Sequence, residues 1–146
     1  MKDLIPLLQT AIGPVILISG IGLLLLSMTN RFGRIIDRSR ILAQELRGGS
    51  DEQRANAQGQ VGILWRRAKL IRRAIALAVI SVLFAAVMMV VLFLAALQQL
   101  EVAGLVTVLF SVCLLTLIAS LVAFLQEINE SLSALKLALF DDRRDV

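Results

Sequence analysis

The chain of 146 residues has the length of one domain, yet 58% of it is apolar and its mean hydropathy is +0.86, outside the balance of a water-soluble domain. Lys and Arg number 15 against 11 Asp and Glu, histidine is absent, and Cys113 is the single cysteine. Those counts exclude imidazole ligands, the commonest general base near neutral pH, and any intramolecular disulfide.

Residues 4–28 are an uncharged stretch longer than the roughly 20 residues that cross a hydrocarbon core of about 30 Å. The run is too long for a cleavable leader and meets arginines at once, with no small-residue cleavage site, so it is expected to remain as a first membrane span. Within it Gly13, Gly20 and Ser27 recur every seven residues on nearly one helical face, with Ser19 close by and the polar Thr29 and Asn30 just beyond. Two readings stay open for this stripe: a close helix contact of the small-residue type, and the wall of a narrow pore built from several protomers. Gly20-Ile21-Gly22 is no phosphate loop, because it lies inside the span and lacks the lysine that such a loop uses.

Residues 29–73 hold eleven basic and four acidic side chains, a net of +7, while the rest of the chain sums to −3. Arg31, Arg34, Asp37, Arg38 and Arg40 form a dense cluster beside the first span, where Asp37 is spaced to pair with Arg34 or Arg40. Snorkelling of long cationic side chains and membrane topology account for this cluster. Apolar residues at steps of four and three (Met28, Phe32, Ile35, Ser39, Leu42, Leu46) predict that a helix continues past the span with a buried seam. Gly48-Gly49 predicts its end through a positive-φ glycine. Ser50 and Gln53 have capping-box spacing for the next helix, with Asp51 and Glu52 in its first turn. That helix carries the seam Ala57, Val61, Leu64, Ala68, Ile71, and Gly59 and Gly62 predict fraying or a later start.

A second basic cluster, Arg66, Arg67, Lys69, Arg72 and Arg73, abuts the second apolar stretch, and two readings stay open for it: charge that only sets membrane topology, and a surface that meets anionic lipid headgroups. Residues 74–97 and 102–124 are the second and third predicted spans, joined by little more than Gln98-Gln99-Leu100-Glu101 into an antiparallel hairpin. In the third span Gly104, Thr107 and Ser111 share one side, and Cys113, Thr116 and Ser120 another. Hydroxyls there are expected to serve as structural glue and Cys113 to pack. No ionisable side chain lies inside a predicted span, which argues against a proton relay, a voltage sensor or a coupled transporter. Residues 125–140 predict a third amphipathic helix with the seam Leu125, Ile128, Leu132, Leu135, Leu139. Glu127 and Glu130 share a face of it, expected to be solvated rather than a cation site, and residues 141–145 are expected to form a frayed end.

The run ILISGIGLLLLSMTNR over residues 16–31, followed by GRIIDRSR over residues 33–40, resembles an uncharacterised bacterial membrane family, domain of unknown function 2721. The likeness is strongest over residues 14–47. It implies a small bacterial membrane protein and transfers no catalytic or binding residues.

The fold class expected is all-α: three transmembrane helices extended into a cytoplasmic three-helix, coiled-coil-like bundle, in a single membrane domain. The distribution of Lys and Arg places the 29–73 hairpin and the C-terminus in the cytoplasm and the N-terminus outside, in a bacterial inner membrane. Serine without histidine or a placed lysine is not an activated nucleophile, so no enzyme is expected and no cofactor or metal is called for. The functional reading favoured by the sequence is an oligomeric ion or small-solute channel lined by the first span. The alternative is a membrane-anchored scaffold whose basic bundle binds anionic lipid or a protein partner. The partners expected are the bilayer, its anionic headgroups and further copies of the chain, with no role for nucleic acid.

Overall fold

The computed structural model describes residues 4–99 and 101–141, and the side chains of all of these except residues 4, 7, 8, 10, 11 and 133–141. The described residues form three helices, α1 (Leu4–Gly48), α2 (Asp51–Gln98) and α3 (Ala103–Asp141), of 45, 48 and 39 residues. The all-helical class is as expected. Each helix is long and apolar enough to cross a membrane, but only 17, 22 and 11% of their most apolar windows are buried inside the chain. Leu23, Leu83, Val108 and Leu115 are each at least 60% exposed. A water-soluble monomer does not leave apolar surface on that scale uncovered. In lipid the same surface carries no penalty, and helices satisfy their backbone groups internally. The chain is built as a multi-pass membrane protein.

The turn between α1 and α2 differs from expectation in its cause. Among the described residues no glycine has a positive φ. The Gly49 N–H instead donates to the Glu45 carbonyl at 2.9 Å. A Cβ on Gly49 would lie 2.5 Å from that oxygen, so glycine is required here by close approach rather than by backbone handedness. The capping box forms as read: the Ser50 N–H donates to Gln53 Oε1 at 2.9 Å, and the Gln53 N–H donates to Ser50 Oγ at 3.4 Å. Gly59 and Gly62 neither fray nor delay α2, which is continuous from Asp51. A penalty of about 1 kcal/mol per glycine is small for a capped helix whose neighbouring Ala57 is fully buried. At the other turn Gln99 takes a left-handed φ of 52°.

The chain divides into two compact units. The first comprises the described residues of Met1–Ser27 and Ile75–Ser120. Its buried positions are Pro14 and Ile21 on α1, Ala78, Ser81, Ala85, Met88 and Ala95 on α2, and Cys113 and Ser120 on α3. The α2 positions step by three, four, three and seven, and most are alanine or serine. Small side chains let backbones approach, which matters in lipid because association there is driven by packing and not by escape from water. Ser81 and Cys113 lock α2 to α3: Ser81 Oγ donates to the Cys113 carbonyl at 2.9 Å, and Cys113 Sγ donates to the Ser81 carbonyl at 3.3 Å. Cys113 is thus a packed, bonded side chain, as read. Thr107, Ser111 and Thr116 bond carbonyls of their own helix.

The second unit comprises Met28–Ala74 and the described residues of Leu121–Val146. On α1 the predicted seam is buried at Met28, Ile35 and Leu42, while Ser39 is exposed and bonds the Ile36 carbonyl at 2.7 Å. On α2 Ala57 and Ile71 are buried, Leu64 and Ala68 half-buried, and Val61 exposed. The seam predicted on α3 is displaced. Leu125 and Leu132 are exposed, Ile128 is half-buried, and among the described side chains of this segment the buried one is Glu127, which continues the seven-residue step of Cys113 and Ser120. Leu135 and Leu139 have side chains outside those described, and the predicted frayed end lies outside the described residues beyond Asp141.

Candidate functional site

Glu127 corrects the expectation of a solvated acidic face, because its side chain is 1% exposed. An isolated carboxylate in such a place is costly, so it must be paired and hydrogen-bonded. Two arginines that the sequence assigned to separate clusters do this. Arg31 Nη1 on α1 donates to Glu127 Oε2 at 2.8 Å, and Arg67 Nη2 on α2 donates to Oε1 at 3.2 Å. Arg67 Nη2 also donates to Ser131 Oγ at 2.9 Å, one turn further along α3. The Arg31 guanidinium lies over the Phe124 ring at 5.5 Å, within the range of a cation–π attraction. One carboxylate therefore holds all three helices of the second unit. Arg67 keeps its buried Nε–H without an acceptor.

Two basic clefts flank this knot. One, of about 320 Å³, is lined by Arg31, Arg34, Arg38 and Arg67 with Glu127 and Ser131. Arg38 Nη2 donates to Gln60 Oε1 at 3.1 Å, and Arg34 has no hydrogen bond or ion pair among the described residues. Asp37 forms no ion pair with Arg34 or Arg40, and it and Arg40 are exposed. The juxtamembrane arginines thus do more than snorkel: Arg31 turns inward to a buried carboxylate, and Arg34 and Arg38 share its cleft. The second cleft, of about 540 Å³, is lined by Arg66, Lys69 and Arg73 of α2 with Gln126, Asn129 and Glu130 of α3. Arg66 Nη2 pairs with Glu130 Oε1 at 3.0 Å, an exposed bridge of little energetic weight. Of the five residues proposed to meet lipid, three converge on this cleft, Arg67 turns to Glu127, and Arg72 is exposed outside it.

The small-residue stripe lies elsewhere. Gly13, Ser19, Gly20, Ser27, Thr29 and Asn30 are all exposed, and a Cβ built on Gly13 or Gly20 would meet nothing within 4 Å. Ser19 Oγ bonds the Val15 carbonyl of its own helix at 3.0 Å. Among the described residues, therefore, no other helix lies against the backbone of Gly13 or Gly20. Among the described residues no group of three or more Asp, Glu, Cys or His is placed to hold a metal ion.

The Glu127 knot was not legible beforehand because its three members are 36 and 60 residues apart in sequence. The available signal was positional: Glu127 falls seven residues after Ser120 and fourteen after Cys113, both buried. No curated protein and no solved structure matches the chain. The model of the family described as Protein of unknown function (DUF2721) matches residues 11–137, which bears out the resemblance, and the chain belongs to that family.

Proposed function

We propose that this protein is a non-enzymatic membrane anchor whose basic helical unit binds anionic lipid headgroups. The observation that carries the reading is the cleft in which Arg66, Lys69 and Arg73 meet Gln126 and Asn129, three cations and two neutral hydrogen-bonding side chains against the single carboxylate of Glu130. The second unit lies on the cytoplasmic side as a three-helix, coiled-coil-like bundle, the N-terminus lies outside, and the membrane is the bacterial inner membrane. Positive charge beside the apolar runs supports that orientation. Each basic residue near an anionic surface contributes about 1 kcal/mol.

The test uses full-length protein reconstituted with equal parts phosphatidylcholine and phosphatidylglycerol, re-extracted, and assayed for co-purified lipid. Phosphatidylglycerol should be enriched on the wild type and fall to the bulk ratio on the Arg66→Gln/Lys69→Gln/Arg73→Gln variant. Equal enrichment on both would refute the reading, once a tag near Gly49 confirms that orientation is unchanged.

A second reading, an oligomeric ion or small-solute channel, draws on the stripe of Gly13, Gly20 and Ser27, which is exposed among the described residues. It calls for several copies around an axis. The protomer count in detergent tests it, together with the water accessibility of Ser19→Cys and Ser27→Cys in reconstituted bilayers. A monomer with unreactive probes removes the channel.

A further inference from the structure

We infer that the cleft between Arg34, Arg38 and the Glu127 knot is a binding site for a phosphate group, distinct from the lipid-facing cleft of Arg66, Lys69 and Arg73. It lies wholly within the second unit and is lined by four arginines and one carboxylate, a net of +3. Glu127 is already committed, since each of its oxygens accepts from a different arginine. Among the described residues Arg34 has no partner, and Arg38 has only the neutral Gln60 oxygen. Arg31, Arg34 and Arg38 follow one another at helical steps of three and four, so α1 presents three like charges on one face. Arg31 is neutralised by Glu127, whereas Arg34 and Arg38, four residues apart, repel each other weakly, and an anion between them relieves that repulsion.

The remaining donors fit the same occupant. Arg67 lines the cleft as well, its guanidinium held there by Glu127 and Ser131. Ser131 Oγ accepts from Arg67 and keeps its own proton to donate. Planar guanidinium forks match the geometry of phosphate oxygens, and a tetrahedral dianion is the compact group that uses several at once. The volume of about 320 Å³ suits a small ligand or a headgroup, not a folded partner. In the sequence Arg31 stands three residues past the end of the first apolar stretch, so a phosphomonoester lipid headgroup and a soluble phosphate compound share the required chemistry.

Glu127 has a positioning role in this site. It fixes Arg31 and Arg67 and keeps the net charge of the cleft low enough for the unit to fold before an anion arrives.

The experiment measures binding of inorganic phosphate, and separately of short-chain phosphatidic acid, to full-length protein in a neutral maltoside detergent. Binding is read by calorimetry and by the rise in unfolding temperature. Arg34→Gln/Arg38→Gln should weaken binding by about tenfold or more, the loss of one or two charge-assisted contacts, with helicity unchanged because neither residue bonds Glu127. Arg40→Gln/Arg47→Gln removes the same charge from the same helix outside the cleft and should leave binding as it is. Competition of inorganic phosphate with the lipid identifies a site open to soluble phosphate, and binding of phosphatidic acid alone assigns the headgroup. The inference is overturned if the wild type binds neither probe, or if both double variants weaken binding equally. Arg66→Gln/Lys69→Gln/Arg73→Gln should keep the phosphate site, so failure here and failure of the proposed lipid surface are separable.

Discussion

Replacing Glu127 with glutamine keeps the shape of the side chain and removes its charge, leaving Arg31 and Arg67 facing an amide. Breaking a fully buried ion pair by removing one partner costs about 3–5 kcal/mol. Here the carboxylate is buried at 1% exposure, but the Arg31 and Arg67 side chains are 33 and 25% exposed, so water still reaches part of each guanidinium. Solvation of the released cations reduces the loss, and the expected destabilisation is about 2–3 kcal/mol, between the exposed and buried limits. Trp65, the only tryptophan, is 73% exposed in the folded unit and so a poor reporter, and unfolding is followed instead by the loss of helical circular dichroism in a detergent titration. A double-mutant cycle separates pair from context. Coupling between Arg31 and Glu127 should reach about 1–2 kcal/mol, whereas the Arg66–Glu130 bridge, exposed at 76 and 31%, should give about 0.5 kcal/mol or less. If Glu127→Gln unfolds within about 0.5 kcal/mol of the wild type, the size of an ordinary surface substitution, then the knot does not hold the helices. Equal coupling in the two cycles would refute the burial argument as well.

The two adjacent glycines at the first turn should respond with opposite signs in the same titration. Gly49→Ala is expected to destabilise by about 1–3 kcal/mol, the cost of forcing an atom into filled space, because its Cβ meets the Glu45 carbonyl oxygen. Gly48→Ala lies in α1 with nothing within 4 Å and should stabilise by about 0.5–1 kcal/mol. Gln99→Gly should also stabilise, by about 1 kcal/mol, since a left-handed φ of 52° is strained for any residue with a Cβ. Native protein in detergent should resist maleimide labelling at the fully buried Cys113, and unfolded protein should react completely; equal rates would contradict the packing described for the first unit.

The helices were legible because their signals are local. Uncharged runs, the Ser50 and Gln53 capping box, and the four-and-three spacing of Met28, Ile35 and Leu42 each concern residues within a turn or two. The glycine readings failed for physical reasons: Gly48-Gly49 pointed to a break, but the backbone turned without a positive φ, and Gly59 and Gly62 sat in a helix with enough other support. On α3 the pattern of leucines pointed to the wrong face. A search for apolar seams assumes that buried means apolar, and among the described residues of this unit the buried α3 position is a carboxylate. The charge clusters were visible as composition, but their division of labour was not. Whether an arginine faces solvent, a cleft or Glu127 depends on which long-range partner the fold supplies.

Why a carboxylate should occupy a buried seam position follows from the periodicity around it. Alanine, serine and aliphatic residues repeating at seven-residue steps specify a face and leave its register weakly fixed, since a slip of one repeat replaces like with like. Sliding α3 by one repeat would bring Ser120 or Ala134 to the position of Glu127 and leave Arg31 and Arg67 without their shared acceptor. Two guanidiniums deprived of a counter-charge cost more than any small aliphatic contact returns. A single polar group in an otherwise permissive seam is a recognised means of setting register. The same requirement explains why the arginines approach from two different helices: one pair would align two helices, whereas Glu127 shared between α1 and α2 aligns all three.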